Sequence, residues 1–355
     1  MKVEELQTPC LIVEGGILDA NLTRMARFFD GRPARLRPHF KSHKCTAIAK
    51  RQLAAGNCAG ITCATLGEAE VLAAAGVEDI LLANQLPADK LPRLLELLGR
   101  ADVRVCVDCP AQVAALAEAV SGLRGEIGIL VELDVGMGRC GLNSPGAVLE
   151  LARRVERAPG LKFSGIQAYE GHAVLLEDAS ERECRARAAL ELSAATRALL
   201  ERSGLAVEVL SSAGTGTYDI TGAAAHVDEV QAGSYALMDA KYRAVRPEFG
   251  NALFVLTSCL FSRGGRAVFD VGLKGCGAEF GPPELVDVRE QPAFRKLSEE
   301  HFIVGETDRE FDVGGKYRLM PGHGCTTCNL HERLYVVEDG RVVADWAIDA
   351  AGLRT

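Results

Sequence analysis

Residues 36–55, LRPHFKSHKCTAIAKRQLAA, read as a short strand (36–41) running into an alanine-rich helical segment (44–55). The strand ends in Lys41, within a cationic cluster that includes Arg37, His39, His43 and Lys44. Desolvation and like-charge neighbours both lower a lysine pKa, and a lysine that loses its proton can form an imine with a carbonyl carbon. The stretch 37–44 equally suits a basic loop that binds an anion or faces solvent. These residues leave both readings open, and the rest of the chain has to decide.

The strand-helix unit recurs along the chain. Short apolar or β-branched runs lie at 36–41, 60–65, 79–84, 104–108, 128–134, 163–169, 208–214 and 229–235, eight in all. The segments between them carry apolar residues at helical spacing, as in Leu94, Leu95, Leu97 and Leu98. A doubly wound sheet gives similar local signals, but eight repeats over about 200 residues predict an α/β fold with an N-terminal (β/α)8 TIM-like barrel. After about residue 250 the pattern changes to strands without long helices, at 252–262, 266–271, 302–304, 316–320 and 334–348, the last a hairpin turned by Asp339-Gly340. The expected organisation is a barrel over 16–245 and an antiparallel β domain from 1–15 and 246–355, with the strand Cys10–Val13 joining the second.

A chain of 355 residues suits one large and one smaller domain, and 48% hydrophobic with 25% charged residues is ordinary for a globular protein. A net charge of -8 argues against a nucleic-acid or anionic-membrane surface. Residues 1–5 lack the charged and apolar regions of a signal peptide, and no run of about 18 apolar residues exists, so a cytoplasmic location is expected. The 12 cysteines then read as reduced thiols and small core residues, with a few candidate ligands among them.

In such a barrel the site forms at the C-terminal strand ends, and the unusual polar residues of this chain cluster there. Lys41 ends the first strand, Asn84 the third, Asp134 and Arg139 follow the fifth, and Tyr169 and His172 follow the sixth. The seventh strand runs into Ser211-Ser212-Ala213-Gly214-Thr215-Gly216-Thr217-Tyr218, whose amides and hydroxyls suit a phosphate; Gly233 and Ser234 after the eighth supply more. Taken with Lys41, the two loops match the aldehyde and phosphate ends of pyridoxal 5'-phosphate (PLP).

A second constellation is Pro321-Gly322-His323-Gly324-Cys325-Thr326-Thr327-Cys328. His323 and Cys325 in extended chain share a face and suit one borderline divalent ion such as Zn2+, with positions left for water or substrate. Two other readings stand beside it: Cys325 with Cys328 as half of a zinc knuckle, or small core residues with one hydrogen-bonded histidine.

The chain resembles the fold-type III, alanine-racemase-like PLP enzymes, within the D-threonine aldolase, 3-hydroxy-D-aspartate aldolase and D-serine dehydratase group. The resemblance runs nearly end to end, through Thr8–Leu11, Arg37–Lys44, Gly67–Glu70, Asp134–Gly141 (DVGMGRCG), Gln167–His172 (QAYEGH), Gly214–Tyr218, Gln231–Asp239, Asn251–Thr257 and Pro321–Cys325. It implies a homodimer with a divalent metal beside PLP. Lys41 would be the Schiff-base lysine, with Lys44 as a neighbour that lowers its pKa. Arg139 and Tyr169 would contact the ring. Gly214, Thr215, Gly216, Gly233 and Ser234 would bind the phosphate, and His323 and Cys325 the metal.

The implied substrates are D-amino acids bearing a β-hydroxyl. Removal of the hydroxyl proton breaks Cα–Cβ and gives glycine and an aldehyde, whereas removal of the Cα proton, with Lys41 as base, expels water and gives a 2-oxo acid and ammonia. The motif wording resembles the aldolase branch, so aldol cleavage is expected ahead of dehydration. An amino-acid racemase needs no metal pair, and a non-catalytic PLP-binding protein needs Lys41 alone. Three departures complicate the match. Cys325 stands where those aldolases carry aspartate, as in the dehydratase, and favours zinc over manganese or magnesium. Leu175 occupies the position of the aldolase histidine; His172 lies closer, either as the substitute base or as a group that orients a neighbour. Lys241 and Glu279 also replace expected aspartates.

Overall fold

The computed structural model describes residues 1–355 apart from Arg124, Asp287 and Asp308. The chain divides into two compact units, one of residues 25–41, 49–233 and 353–355, the other of residues 1–24, 42–48 and 234–352.

The first strand of the chain, β1 (Cys10–Glu14), belongs to the second unit; the next eight are β2 (Arg35–Leu36), β3 (Ile61–Cys63), β4 (Asp79–Leu82), β5 (Asp102–Val107), β6 (Ile127–Glu132), β7 (Leu161–Ala168), β8 (Val209–Ser212) and β9 (Glu229–Val230). All eight pair in parallel in the order β2-β9-β8-β7-β6-β5-β4-β3. Parallel bridges from Leu36 to Cys58 and from His39 to Thr62 join the two ends and close the cylinder. This is the TIM-like barrel that the sequence predicts. Its strands read as continuous apolar runs because helices cover the outside while side chains fill the inside. Helix ends follow local rules: Thr65 caps Leu66–Ala74 by accepting from the Glu68 amide, and Glu68 accepts from Ala64 N at 2.8 Å.

The first and eighth of the expected strands shrink to two residues each. The first stops at Leu36 because Pro38 has no amide to donate, and Phe40–Ser42 curls into a 3-10 turn. The eighth stops at Val230.

Arg37 does not stand in an open cationic cluster with Lys41. It is 1% exposed and forks onto Glu229, with Nε and Nη2 each 2.7 Å from a carboxylate oxygen, and Nη1 lies 2.7 Å from Asp79. Burial works against its charge, but Glu229 and then Asp79 more than offset that, and Arg37 is held above the usual arginine range. Both partners begin barrel strands.

The second unit contains a nine-stranded sheet. After β1 come β10 (Leu253–Arg263), β11 (Arg266–Phe269), β12 (Glu284–Leu285), β13 (Ala293–Leu297), β14 (Phe302–Gly305), β15 (Lys316–Met320), β16 (Arg333–Glu338) and β17 (Arg341–Ala347). β1 is antiparallel to β10 and parallel to β16, and every other pairing is antiparallel. Asp339 and Gly340 turn the β16–β17 hairpin with φ of 47° and 71°. Leu6, Ile12, Phe254, Leu256, Met320 and Val337 form one core cluster of this unit. Among the described residues no helix is long and apolar enough to cross a membrane.

Breaking the buried fork should cost more than breaking an exposed pair. Glu229→Gln is expected to destabilise the protein by about 3 kcal/mol or more in chemical denaturation, and Glu183→Gln, which removes the exposed Arg187 pair on helix Ala179–Arg202, by under about 0.5 kcal/mol. Equal effects would refute the assignment of Arg37 as a structural charge.

Candidate active site

The barrel unit assembles one group of residues around Tyr169, which directly follows β7. Lys41 Nζ lies 5.9 Å and Arg139 Cζ 5.8 Å from the centre of the Tyr169 ring. Gly214 approaches the same ring, so that a Cβ there would sit 3.3 Å from Tyr169 Cε2 and 3.4 Å from its hydroxyl. An amine, a guanidinium and a small-residue loop thus converge on one aromatic ring. Such a donor set suits a flat, phosphate-bearing cofactor that forms an imine with lysine.

Arg139 is carried on a loop shaped by Asp134, which accepts from Gly136 N at 2.9 Å and from Gly138 N at 3.1 Å. Burial works against ionisation of Asp134, but the amides of Gly136, Gly138 and Met137 prevail and hold its carboxyl below the usual range. Glu132, at the end of β6, is driven the other way: burial raises its pKa against the opposing pull of Gln85 and Arg139. The His172 ring lies over Gly136, where any side chain would strike it, and its buried Nδ1 has no hydrogen-bond partner among the described residues.

The loop after β8 owes its shape to a residue that the sequence reading passed over. Glu170 is 1% exposed and accepts from Ser212 Oγ at 2.9 Å, Ala213 N at 3.0 Å, Thr217 Oγ1 at 2.8 Å and Thr221 Oγ1 at 2.5 Å. Ala213 takes a left-handed φ of 64° to turn the chain, and Gly214, Thr215 and Gly216 follow, all buried. Gly216 passes so close to the Val174 backbone that a Cβ would fall 1.8 Å from Val174 O. The available signal was position: Glu170 lies inside the QAYEGH segment, next to Tyr169. Gly233 is buried three residues past the end of β9.

The second unit gathers Ser234, His323 and Cys325. Ser234 Oγ lies 3.9 Å from Cys325 Sγ. His323 has extended backbone, but Cys325 does not, because Gly324–Asn329 forms a short helix. The expectation of an extended His-x-Cys pair is corrected accordingly. Asp239, 1% exposed, starts that helix by accepting from Gly324 N at 2.9 Å while capping Ala240–Val245 through Tyr242 N at 2.8 Å. The His323 carbonyl accepts from Thr327 Oγ1 at 2.7 Å, and Thr327 Oγ1 accepts from Gly277 N at 2.9 Å. A Cβ at position 277 would meet Thr326 Oγ1 at 2.0 Å and His323 O at 3.0 Å, so a side chain there would force Thr326 to move.

His323 Nδ1 is hydrogen-bonded to Glu279 Oε1. Burial would lower its pKa, but hydrogen bonds to Cys325 and Glu279, and Asp239 nearby, push it up to about 9. Among the described residues no group of three or more His, Cys, Asp and Glu side chains is assembled for a metal ion. His323 and Cys325 offer two donors of the types zinc favours. Cys328 is fully buried on the same helix. Lys44 has a left-handed φ of 54° and donates to Asn329 Oδ1 at 2.8 Å. All twelve cysteines are free thiols.

Comparison with known proteins finds relatives along nearly the whole chain. The family model described as "Alanine racemase, N-terminal domain" matches residues 15–241, and that described as "Putative serine dehydratase domain" matches residues 252–337. The chain is 37% identical over 365 residues to a 3-hydroxy-D-aspartate aldolase of Paracoccus denitrificans, covering 99% of this chain and 94% of that protein. It is 30% identical to a D-threo-3-hydroxyaspartate dehydratase of Delftia sp., covering 91% and 92%. The crystal structure of a D-threonine aldolase from Filomicrobium marinum superposes with a TM-score of 0.94 at 36% identity, covering 98% of this chain and 97% of that one.

Glu170→Ala would take a buried acceptor away from three hydroxyls and an amide. We expect a loss of about 3 kcal/mol in denaturant unfolding, well above the loss from removing the exposed helix cap by Asp178→Ala. A Glu170→Ala protein no less stable than Asp178→Ala would contradict the role given to Glu170.

Proposed function

The chain belongs to the alanine racemase N-terminal-domain family, and from that premise we propose that it is a PLP-dependent lyase that cleaves D-3-hydroxy amino acids to glycine and an aldehyde. The observation that carries this reading is the end-to-end similarity to aldolases, closer than that to the dehydratase. D-Threonine and 3-hydroxy-D-aspartate are the proposed substrate class. The reading takes the protein to be a cytoplasmic homodimer, with residues 16–245 as the cofactor-binding domain and the remainder carrying the metal residues.

When bound, PLP supplies an electron sink for charge at Cα, and a divalent metal, zinc in preference to manganese or magnesium, supplies a Lewis acid for the β-oxygen. The chain's own residues then have distinct tasks. Lys41 Nζ would hold the cofactor covalently until substrate displaces it. Arg139 and Tyr169 would fix the ring, which the approach of both Arg139 and Lys41 to Tyr169 supports. Gly214, Thr215, Gly216, Gly233 and Ser234 would take the phosphate through short side chains that leave the backbone accessible. His323 and Cys325 would hold the metal. His172 would take the proton from the β-hydroxyl, and the unpartnered Nδ1 of its ring supports a group poised for a ligand.

A second reading, dehydration, is favoured by Cys325 at the metal position and by the serine dehydratase model over residues 252–337. In that case Lys41 Nζ would remove the Cα proton and the β-hydroxyl would leave as water.

The test is to incubate PLP-loaded protein and Zn2+ or Mn2+ with D-serine, D-threonine, D-allo-threonine and the threo and erythro isomers of 3-hydroxy-D-aspartate. Glycine and 2-oxo acid are assayed together. Glycine from D-threonine or 3-hydroxyaspartate is expected; 2-oxo acid and ammonia without glycine would overturn aldol cleavage. His323→Ala is expected to lose both metal and turnover while keeping its PLP absorbance, and an active, metal-replete variant would refute the ligand assignment.

A further inference from the structure

We propose that Glu279 is a positioning residue that fixes which nitrogen of His323 is presented to a divalent ion. This rests on the metal reading above and deepens it. His323 has little freedom. Its backbone is held on both sides: its amide donates to Gly277 O at 3.3 Å, its carbonyl accepts from Thr327 Oγ1 at 2.7 Å, and the next amide, of Gly324, donates to Asp239 at 2.9 Å. Its ring packs on Phe280, with centroids 4.1 Å apart and planes 31° from parallel.

With the peptide and ring plane fixed, the freedom that remains is the choice of nitrogen offered to an ion. Glu279 removes that freedom, because its Oε1 is hydrogen-bonded to His323 Nδ1. Nε2 is then the ring nitrogen that this bond leaves for an ion. A metal-ligating histidine commonly gives its other N–H to a carboxylate, which sets the tautomer and raises ligand basicity. The acceptor and the stacking ring here are adjacent residues, 279 and 280, so one stretch of chain supplies both restraints. The glutamate that the sequence sets in an expected aspartate position thereby acquires a task.

Loss of such a partner costs about 10–100-fold in metal affinity. Glu279 is 43% exposed, and solvent screening puts the expected effect at the lower end, about tenfold.

The test uses PLP-loaded full-length protein in a Zn2+ competition titration against a chromophoric chelator. Glu279→Ala is expected to weaken Zn2+ binding about tenfold. Glu279→Gln should weaken it less, since the amide oxygen still accepts from Nδ1–H, and PLP absorbance should be unchanged in both. In 15N NMR of the zinc-loaded wild type, the proton of His323 is expected on Nδ1. Wild-type affinity in Glu279→Ala, or a proton on Nε2, would overturn the inference. A wild-type protein that takes up no Zn2+, or that binds it equally well after His323→Ala, would overturn the metal reading and the inference with it.

Discussion

The barrel depends on a seam that one short stretch of backbone makes with both neighbours. On one side Arg37 N donates to Val230 O at 2.8 Å and His39 N to Ala232 O at 3.2 Å. On the other, Leu36 N donates to Asn57 O at 2.9 Å, Ala59 N to Leu36 O at 2.8 Å and Thr62 N to Pro38 O at 2.9 Å. Pro38 donates nothing yet accepts, which is the one ladder role open to proline. The buried Arg37 fork then ties the seam to the starts of β4 and β9. Once the cylinder closes, its C-terminal strand ends share one rim, and Lys41, Arg139, Tyr169 and the loop after β8 can meet there.

Each group of candidate residues is shaped by a buried carboxylate that is not itself a candidate ligand. Glu170 gathers the hydroxyls and amide of the loop behind Gly214, and Asp239 joins the starts of two short helices beside His323. Neither loop would keep its form by propensity alone, since the helices are only four and six residues long. A buried carboxylate with several donors ties together segments distant in sequence, and at Asp239 burial outweighs the amide donors and raises the carboxyl pKa.

Most of the fold was legible because its signals are local. Buried parallel strands read as unbroken apolar runs, and Asp339-Gly340 between two β-branched runs is a hairpin signal with a mechanism. β13 was missed because it is mostly exposed and reads as Ala-Phe-Arg-Lys-Leu, with no buried face to set a period. The shortening of β2 follows from Pro38, and the proline was visible, but the bonds that replace the ladder come from residues 57–62 and 230–232 and leave no local trace. Within the site, residue types at strand ends led to Lys41, Arg139, Tyr169 and the glycine loop. The commitment of Arg37 to Glu229, about 190 residues away, could not be read from the cluster in which it sits. The helical turn at Cys325 was hidden for the same reason, because its cap, Asp239, lies far upstream.

The account stands on Lys41 as the covalent anchor of PLP. The most direct measurement is borohydride reduction of the PLP-loaded protein, followed by proteolysis and mass spectrometry of the lysine-containing peptides. The account predicts a reduced phosphopyridoxyl adduct on Lys41. An adduct on Lys44, on another lysine, or on none would contradict it.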